Sequence, residues 1–142
     1  GKKGITRKKV EGDKKTPIGV FSLGNLYYRK DRNRKPATRL KCIVIKKNMG
    51  WCDDIKNKKY YNKLIKINKK IKHEKLYRKD YKYDYFIVVK YNYFKTIKNK
   101  GSAIFIHLTK NYYPTAGCIG LSKKDFLIFT KLVKKNSEIK IY

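Results

Sequence analysis

Acidic side chains are scarce in this chain: 10 Asp and Glu stand against 39 Lys and Arg in 142 residues, a formal net charge of +29. Cysteine is scarce too. An odd set of three, Cys42, Cys52 and Cys118, excludes a fully paired disulfide framework and leaves at least one thiol free. Cys42 and Cys52 flank Lys46–Gly50, which reads as a turn, so a disulfide across a hairpin and two separate buried thiols both fit. Their spacing is no zinc motif, and the two histidines are not placed to complete one, so no metal is expected. No apolar run approaches the roughly 20 residues a membrane-spanning helix needs. No internal repeat and no linker breaks the chain, and its length suits one domain, residues 1–142, with its own core. No secretory leader is visible and the first residue is Gly1 rather than Met, which reads as a trimmed or mature form.

The charge excess has two readings. It fits a polyanionic partner: nucleic acid, an anionic membrane surface or an acidic wall polymer. It also fits a solvated surface in a chain dominated by Lys, Asn, Ile and Tyr, the residues that AT-rich codons favour. Arg, the residue suited to bidentate phosphate contacts, is sparse beside Lys, which favours the second reading.

Residues 18–28, 42–46, 85–93, 102–108 and 138–142 read as strands. The run Phe86-Ile87-Val88-Val89 is β-branched and aromatic, so a buried strand is expected there. Ile139 and Ile141 alternate with polar residues as on a half-exposed strand. One helix is expected after Ser122, with Asp125 three residues on in an approximate capping box. Phe126, Phe129, Leu132 and Val133 are expected on its apolar face, with Lys134 and Lys135 at its C-terminal end. Residues 60–79 carry a weak helical period through Leu64, Ile67 and Ile71, and are read as an irregular excursion. His73 is expected to face solvent among lysines, and Asp80 and Asp84 either to pair with nearby lysines or to shape the pocket.

Chemistry concentrates at Thr115-Ala116-Gly117-Cys118-Ile119, with His107 upstream at the end of an apolar strand. An imidazole that favours the thiolate turns a cysteine into a nucleophile for acyl carbon. Gly117 permits a tight turn, and the Gly117 and Cys118 N–H groups lie where an oxyanion would form. Ser102 and Thr115 supply hydroxyls that could orient His107 or bind substrate, or serve ordinary strand and turn roles. The second nitrogen of His107 needs an acceptor, a backbone carbonyl or a side chain. Trp51, Asp53, Asp54, Tyr61 and Asn62 could wall a pocket for a peptide that carries an amine. Core packing for Trp51 and turn capping for the two aspartates fit as well.

Glu11-Gly12-Asp13 followed by Thr16-Pro17-Ile18-Gly19-Val20-Phe21 resembles a conserved segment of the L,D-transpeptidase catalytic-domain family. Gly101–His107 with Pro114–Ile119 is similar to that family's His…[Ser/Thr]-x-Gly-Cys block. Gly50–Asp54, Tyr61-Asn62 and Asp80…Tyr83-Asp84 resemble blocks of one bacterial branch, and the order holds from about Gly4 to the C-terminus. Gly120 stands where many members carry Arg, and Ala116 where many carry His or Tyr.

The resemblance implies a mainly β fold, a mixed sheet or sandwich with one main helix near the C-terminus. It implies acyl transfer on peptidoglycan stem peptides. Cys118 attacks the carbonyl between a diaminopimelate-type third residue and a terminal D-alanine, and His107 protonates the leaving amine. A second stem's amine then gives a 3→3 crosslink, water gives an L,D-carboxypeptidase, or a free D-amino acid gives an exchange enzyme. No metal or organic cofactor is implied. Stem peptides and anionic envelope polymers are the expected partners, with no specific nucleic acid and no transmembrane segment, and a monomer is expected. The place of action is the periplasm or cell envelope, after removal of an export signal. The alternatives are a lysine-rich nucleic-acid-binding domain and a wall-binding domain without turnover.

Overall fold

The computed structural model describes residues 1–142 and is built from eleven short strands and one helix. In chain order they are β1 (Ile5–Thr6), β2 (Thr16–Pro17), β3 (Gly19–Tyr28), β4 (Cys42–Val44), β5 (Met49–Cys52) and β6 (Leu64–Lys66). Then come β7 (His73–Lys75), β8 (Tyr85–Val89), β9 (Phe105–Leu108), β10 (Ile119–Leu121), α1 (Lys123–Leu132) and β11 (Glu138–Ile141). The fold is therefore β-rich and mixed, with its single helix near the C-terminus, as the resemblance implies.

The main sheet runs β10-β9-β8-β3-β11, and β4 also pairs with β3. β3 is long enough to hold two partners along one edge: β11 on its first half and β4 on its second. A bulge between Leu23 and Leu26 separates these halves against β8. β8 is buried at all five positions, which is why its sequence is an unbroken apolar run rather than an alternation. Its two faces feed two cores. Tyr85, Ile87 and Val89 join Ile106, Leu108 and Phe126 under α1. Phe86 and Val88 join Tyr27, Trp51, Tyr83 and Phe105 on the other face, where the small sheet β6-β5-β7 covers them.

Three local expectations change, and the open question of Cys42 and Cys52 is decided. α1 buries Phe126, Thr130 and its C-cap Val133, with Phe129 half-buried, whereas Leu132 is 71% exposed. Positions 126, 130 and 133 repeat at helical spacing, and 132 falls on the opposite side. Ser122 does cap the helix, accepting from the Asp125 N–H. Cys42 and Cys52 form no disulfide: β4 joins the main sheet, β5 the small one, and all three thiols are free. His73 is half-buried on β7, its Nδ1 2.7 Å from the Ile71 carbonyl, rather than facing solvent. Asp80 and Asp84 pair with Arg78 and Arg32, not with lysines. Residues 60–79 form no helix and contribute only the two short strands β6 and β7, in keeping with the irregular reading. No helix is long and apolar enough to cross a membrane.

Candidate active site

β9 and β10 run parallel, with Ile119 opposite Ile106 and Gly120 opposite His107. Cys118 immediately precedes β10, so this register sets it beside Phe105. Side chains alternate along strands, so Cys118 and His107 fall on one face, the face that carries the second core. Both open onto one cavity of about 430 Å³, which Gly117, Ser102 and Thr115 also line.

The Cys118 thiol is held by the first residue of β9 and by the turn before it. Its Sγ donates to the Ala103 carbonyl at 3.2 Å and accepts from the Phe105 N–H at 3.5 Å. Desolvation at the cavity floor, with the Glu74 carboxylate adding to it, pushes the thiol up to about 12. The resting group is therefore a neutral thiol, not the preformed thiolate that the Cys/His pair alone suggests. His107 is buried, and its Nδ1 lies 2.8 Å from the Leu108 carbonyl. A backbone carbonyl thus fixes the ring and leaves Nε2 as the lone-pair nitrogen. Burial lowers the His107 pKa from its ordinary value, keeping the ring neutral and able to take a proton. The Tyr83 ring packs edge-on to it, 5.6 Å between centroids, and donates its hydroxyl to Glu74, whose own pKa burial raises.

Gly117 sits at φ +133, and a Cβ there would lie 2.8 Å from the Lys15 carbonyl oxygen, so no other residue fits this turn. The Gly117 N–H donates to Thr115 Oγ1 at 3.2 Å, and Thr115 Oγ1 donates to the Cys118 carbonyl at 2.5 Å. Thr115 thereby shapes the turn and occupies one of the two candidate oxyanion donors. The Cys118 N–H has no acceptor within the protein.

Ser102 does not reach His107 through a hydrogen bond. Its hydroxyl donates to Glu11 at 2.7 Å, and the Tyr61 hydroxyl donates to the same carboxylate. Asn62 receives the Trp51 indole N–H at 2.9 Å and the Ala103 N–H at 3.0 Å, and donates to the Tyr91 and Asn92 carbonyls. Ala103 takes φ +52, a left-handed conformation that a non-glycine residue holds only when its surroundings impose it. Trp51, Tyr61 and Asn62 thus brace the 101–103 turn from behind, and its Ala103 carbonyl faces the nucleophile. They do not line the Cys118 cavity. Asp53 and Asp54 lie elsewhere, on a second cavity of about 510 Å³ beside Glu11. Asp54 caps a turn, accepting from the Lys56 and Lys72 N–H groups.

Several cavity-lining residues escaped the sequence reading as site residues, Lys9, Glu74, Arg78 and Tyr83 among them. Tyr83 lay inside a quoted block, whereas Lys9 had no distinguishing mark among 39 cations. The Glu11-Gly12-Asp13 segment acquires a local meaning. Glu11 takes Ser102 and Tyr61, and Asp13 takes the Lys9 ammonium together with the Val10 and Lys15 N–H groups. Burial opposes ionisation of Asp13, yet these donors hold its carboxyl below the usual range. No group of side chains suited to a metal ion is present.

A comparison with protein families matches residues 1–141 to the L,D-transpeptidase catalytic domain. No match was found among curated proteins or among solved structures.

Proposed function

The chain belongs to the L,D-transpeptidase catalytic-domain family, and on that premise we propose that it is a cysteine acyltransferase acting on peptidoglycan stem peptides as one catalytic domain. The observation that carries this is the placement of Cys118, just before β10, and His107, on the adjacent parallel β9, on one face and open to one cavity. Lys2, Lys9, Arg78 and Lys82 also line that cavity, against the single carboxylate of Glu74. A stem peptide carries several carboxylates and one side-chain amine, and this lining suits such a ligand.

The reaction begins with both groups neutral. As Cys118 Sγ leaves the Ala103 carbonyl and approaches the acyl carbon, its proton passes to His107 Nε2. The S–C bond forms, and the Cys118 N–H donates to the oxyanion. Collapse breaks the C–N bond, and the imidazolium returns its proton to the departing D-alanine amine. The thioester is resolved by a second stem's amine, with His107 taking the amine proton, or by water. On this reading the protein acts in the periplasm or cell envelope, where stem peptides occur.

The test is incubation with a tetrapeptide stem, with and without an amine acceptor, following D-alanine release. Release that depends on Cys118 supports the reading, and the acceptor dependence separates crosslinking from hydrolysis. Release undiminished in Cys118→Ala, or no release at all, would refute it.

A further inference from the structure

Lys9 is the most deeply buried of the cations that line the cavity. Its side chain is 4% exposed, whereas Lys2 and Lys82 are exposed. Burying an ammonium is costly unless it is paired, and Asp13 supplies the pair. An ammonium has three N–H donors. Here one goes to Asp13 and one to the Val10 carbonyl at 3.1 Å, and the third has no acceptor in the protein. Gly101 shapes the site: a Cβ there would lie 2.7 Å from Lys9 Cγ, so the lysine stem lies directly on the turn that leads to Ala103 and the Cys118 thiol. Arg78, by contrast, is about one-third exposed and is held outward by Asp80 through Nε and Nη2. Gly120 offers no cation from β10.

We propose that Lys9 is a specificity-determining residue: its third N–H binds the α-carboxylate of the residue that leaves when Cys118 is acylated. This rests on the acyl-transfer reading above. A permanent anion matches a permanent buried cation, while the transient oxyanion is left to the Cys118 N–H. Among the stem's carboxylates, the leaving residue's lies only two bonds beyond the scissile nitrogen. It is therefore the one that a cation in the wall of the Cys118 cavity meets when the acyl carbon reaches the sulfur. Asp13 has the supporting role of holding the ammonium in place. The consequence is a preference for substrates that end, with a free carboxylate, one residue past the bond that breaks.

The experiment compares a stem tetrapeptide acid with its C-terminal carboxamide, binding each by calorimetry to Cys118→Ala protein, where no turnover intervenes. The acid should bind roughly tenfold to a hundredfold more tightly, the span of a hydrogen bond between ionised groups. In Lys9→Met combined with Asp13→Asn, which leaves no unpaired buried charge, the two affinities should converge to within about twofold. A ratio that persists in that variant, or equal affinities in the parent, overturns the proposal. Should the double variant fail to fold, the ¹⁵N resonance of the Lys9 ammonium in Cys118→Ala protein gives the answer. It must move with the acid and not with the amide; equal movement overturns the assignment. Because affinity is read without turnover, failure here is distinct from failure of wild-type protein to release D-alanine.

Discussion

Replacing Asn62 with Ala tests the brace behind the nucleophile. The side chain is 4% exposed, and its amide makes four hydrogen bonds, to Trp51, Ala103, Tyr91 and Asn92, all between 2.8 and 3.0 Å. Truncation orphans two buried donors, the Trp51 indole N–H and the Ala103 amide. Each costs about 1–3 kcal/mol when left unpaired. Position 62 also sits at φ +56, which alanine tolerates less well than asparagine by up to roughly 1 kcal/mol. Water entering the gap returns part of this, so the expected loss is about 3–5 kcal/mol, a large share of an ordinary domain's stability. Urea unfolding measures it, followed by far-ultraviolet circular dichroism and by the fluorescence of the single tryptophan. The midpoint should fall with the slope unchanged. Trp51→Phe removes one of the two donors while keeping an aromatic ring against Phe105, so the double variant should lose less than the sum of the singles. Freed from Asn62, Ala103 should relax from its left-handed conformation and withdraw its carbonyl from the thiol, raising the alkylation rate of Cys118. A loss below about 1 kcal/mol with unaltered alkylation would refute the bracing argument.

Alkylation of Cys118 by a small neutral reagent should climb about tenfold per pH unit from pH 7 to 10 without a plateau, because desolvation pushes the thiol up to about 12; a plateau near neutrality would mean a preformed thiolate. His107→Ala should slow acylation by a stem peptide by roughly a hundredfold or more, read from single-turnover D-alanine release. With its pKa lowered by burial, His107 stays neutral as the pH drops through its ordinary value, so acylation should fail only in more acidic solution than a free imidazole would allow. The unfolded chain takes up that proton first, so folding stability should also decline as the pH falls below the ordinary imidazole pKa, and His107→Gln should flatten that decline. Duplex DNA should bind weakly and without sequence preference, losing affinity steeply between low and physiological salt, as a lysine-rich +29 surface implies; sub-micromolar selective binding at physiological salt would contradict this.

The features legible in the sequence were those that one segment settles by itself. Tyr85–Val89 is apolar on both faces, and such a run has few homes besides a central strand. Ser122 with Asp125 marks a helix start by local hydrogen bonding alone. The ordered blocks around Gly117, Cys118 and His107 named the family because several coincide. What stayed hidden depends on contacts between distant segments. Asn62 and Trp51 read as well for a pocket wall as for a core, and only their meeting with Ala103, 41 residues from Asn62, decides it. Leu132 joins the apolar face on residue type, yet the packing under α1 uses the buried Thr130 instead. The neutral state of Cys118 is a product of burial by the whole cavity floor, which no residue pair encodes. Lys9 becomes distinct only through Asp13 and Gly101.

The central claim is that Cys118 is acylated by a stem peptide. Intact-protein mass spectrometry after rapid mixing with a tetrapeptide stem measures it most directly. The account predicts a mass increase equal to the stem less its terminal D-alanine, located on Cys118, cleaved by hydroxylamine and absent from Cys118→Ala. Release of D-alanine with no adduct on Cys118 at any time, or an adduct that survives in Cys118→Ala, would contradict it.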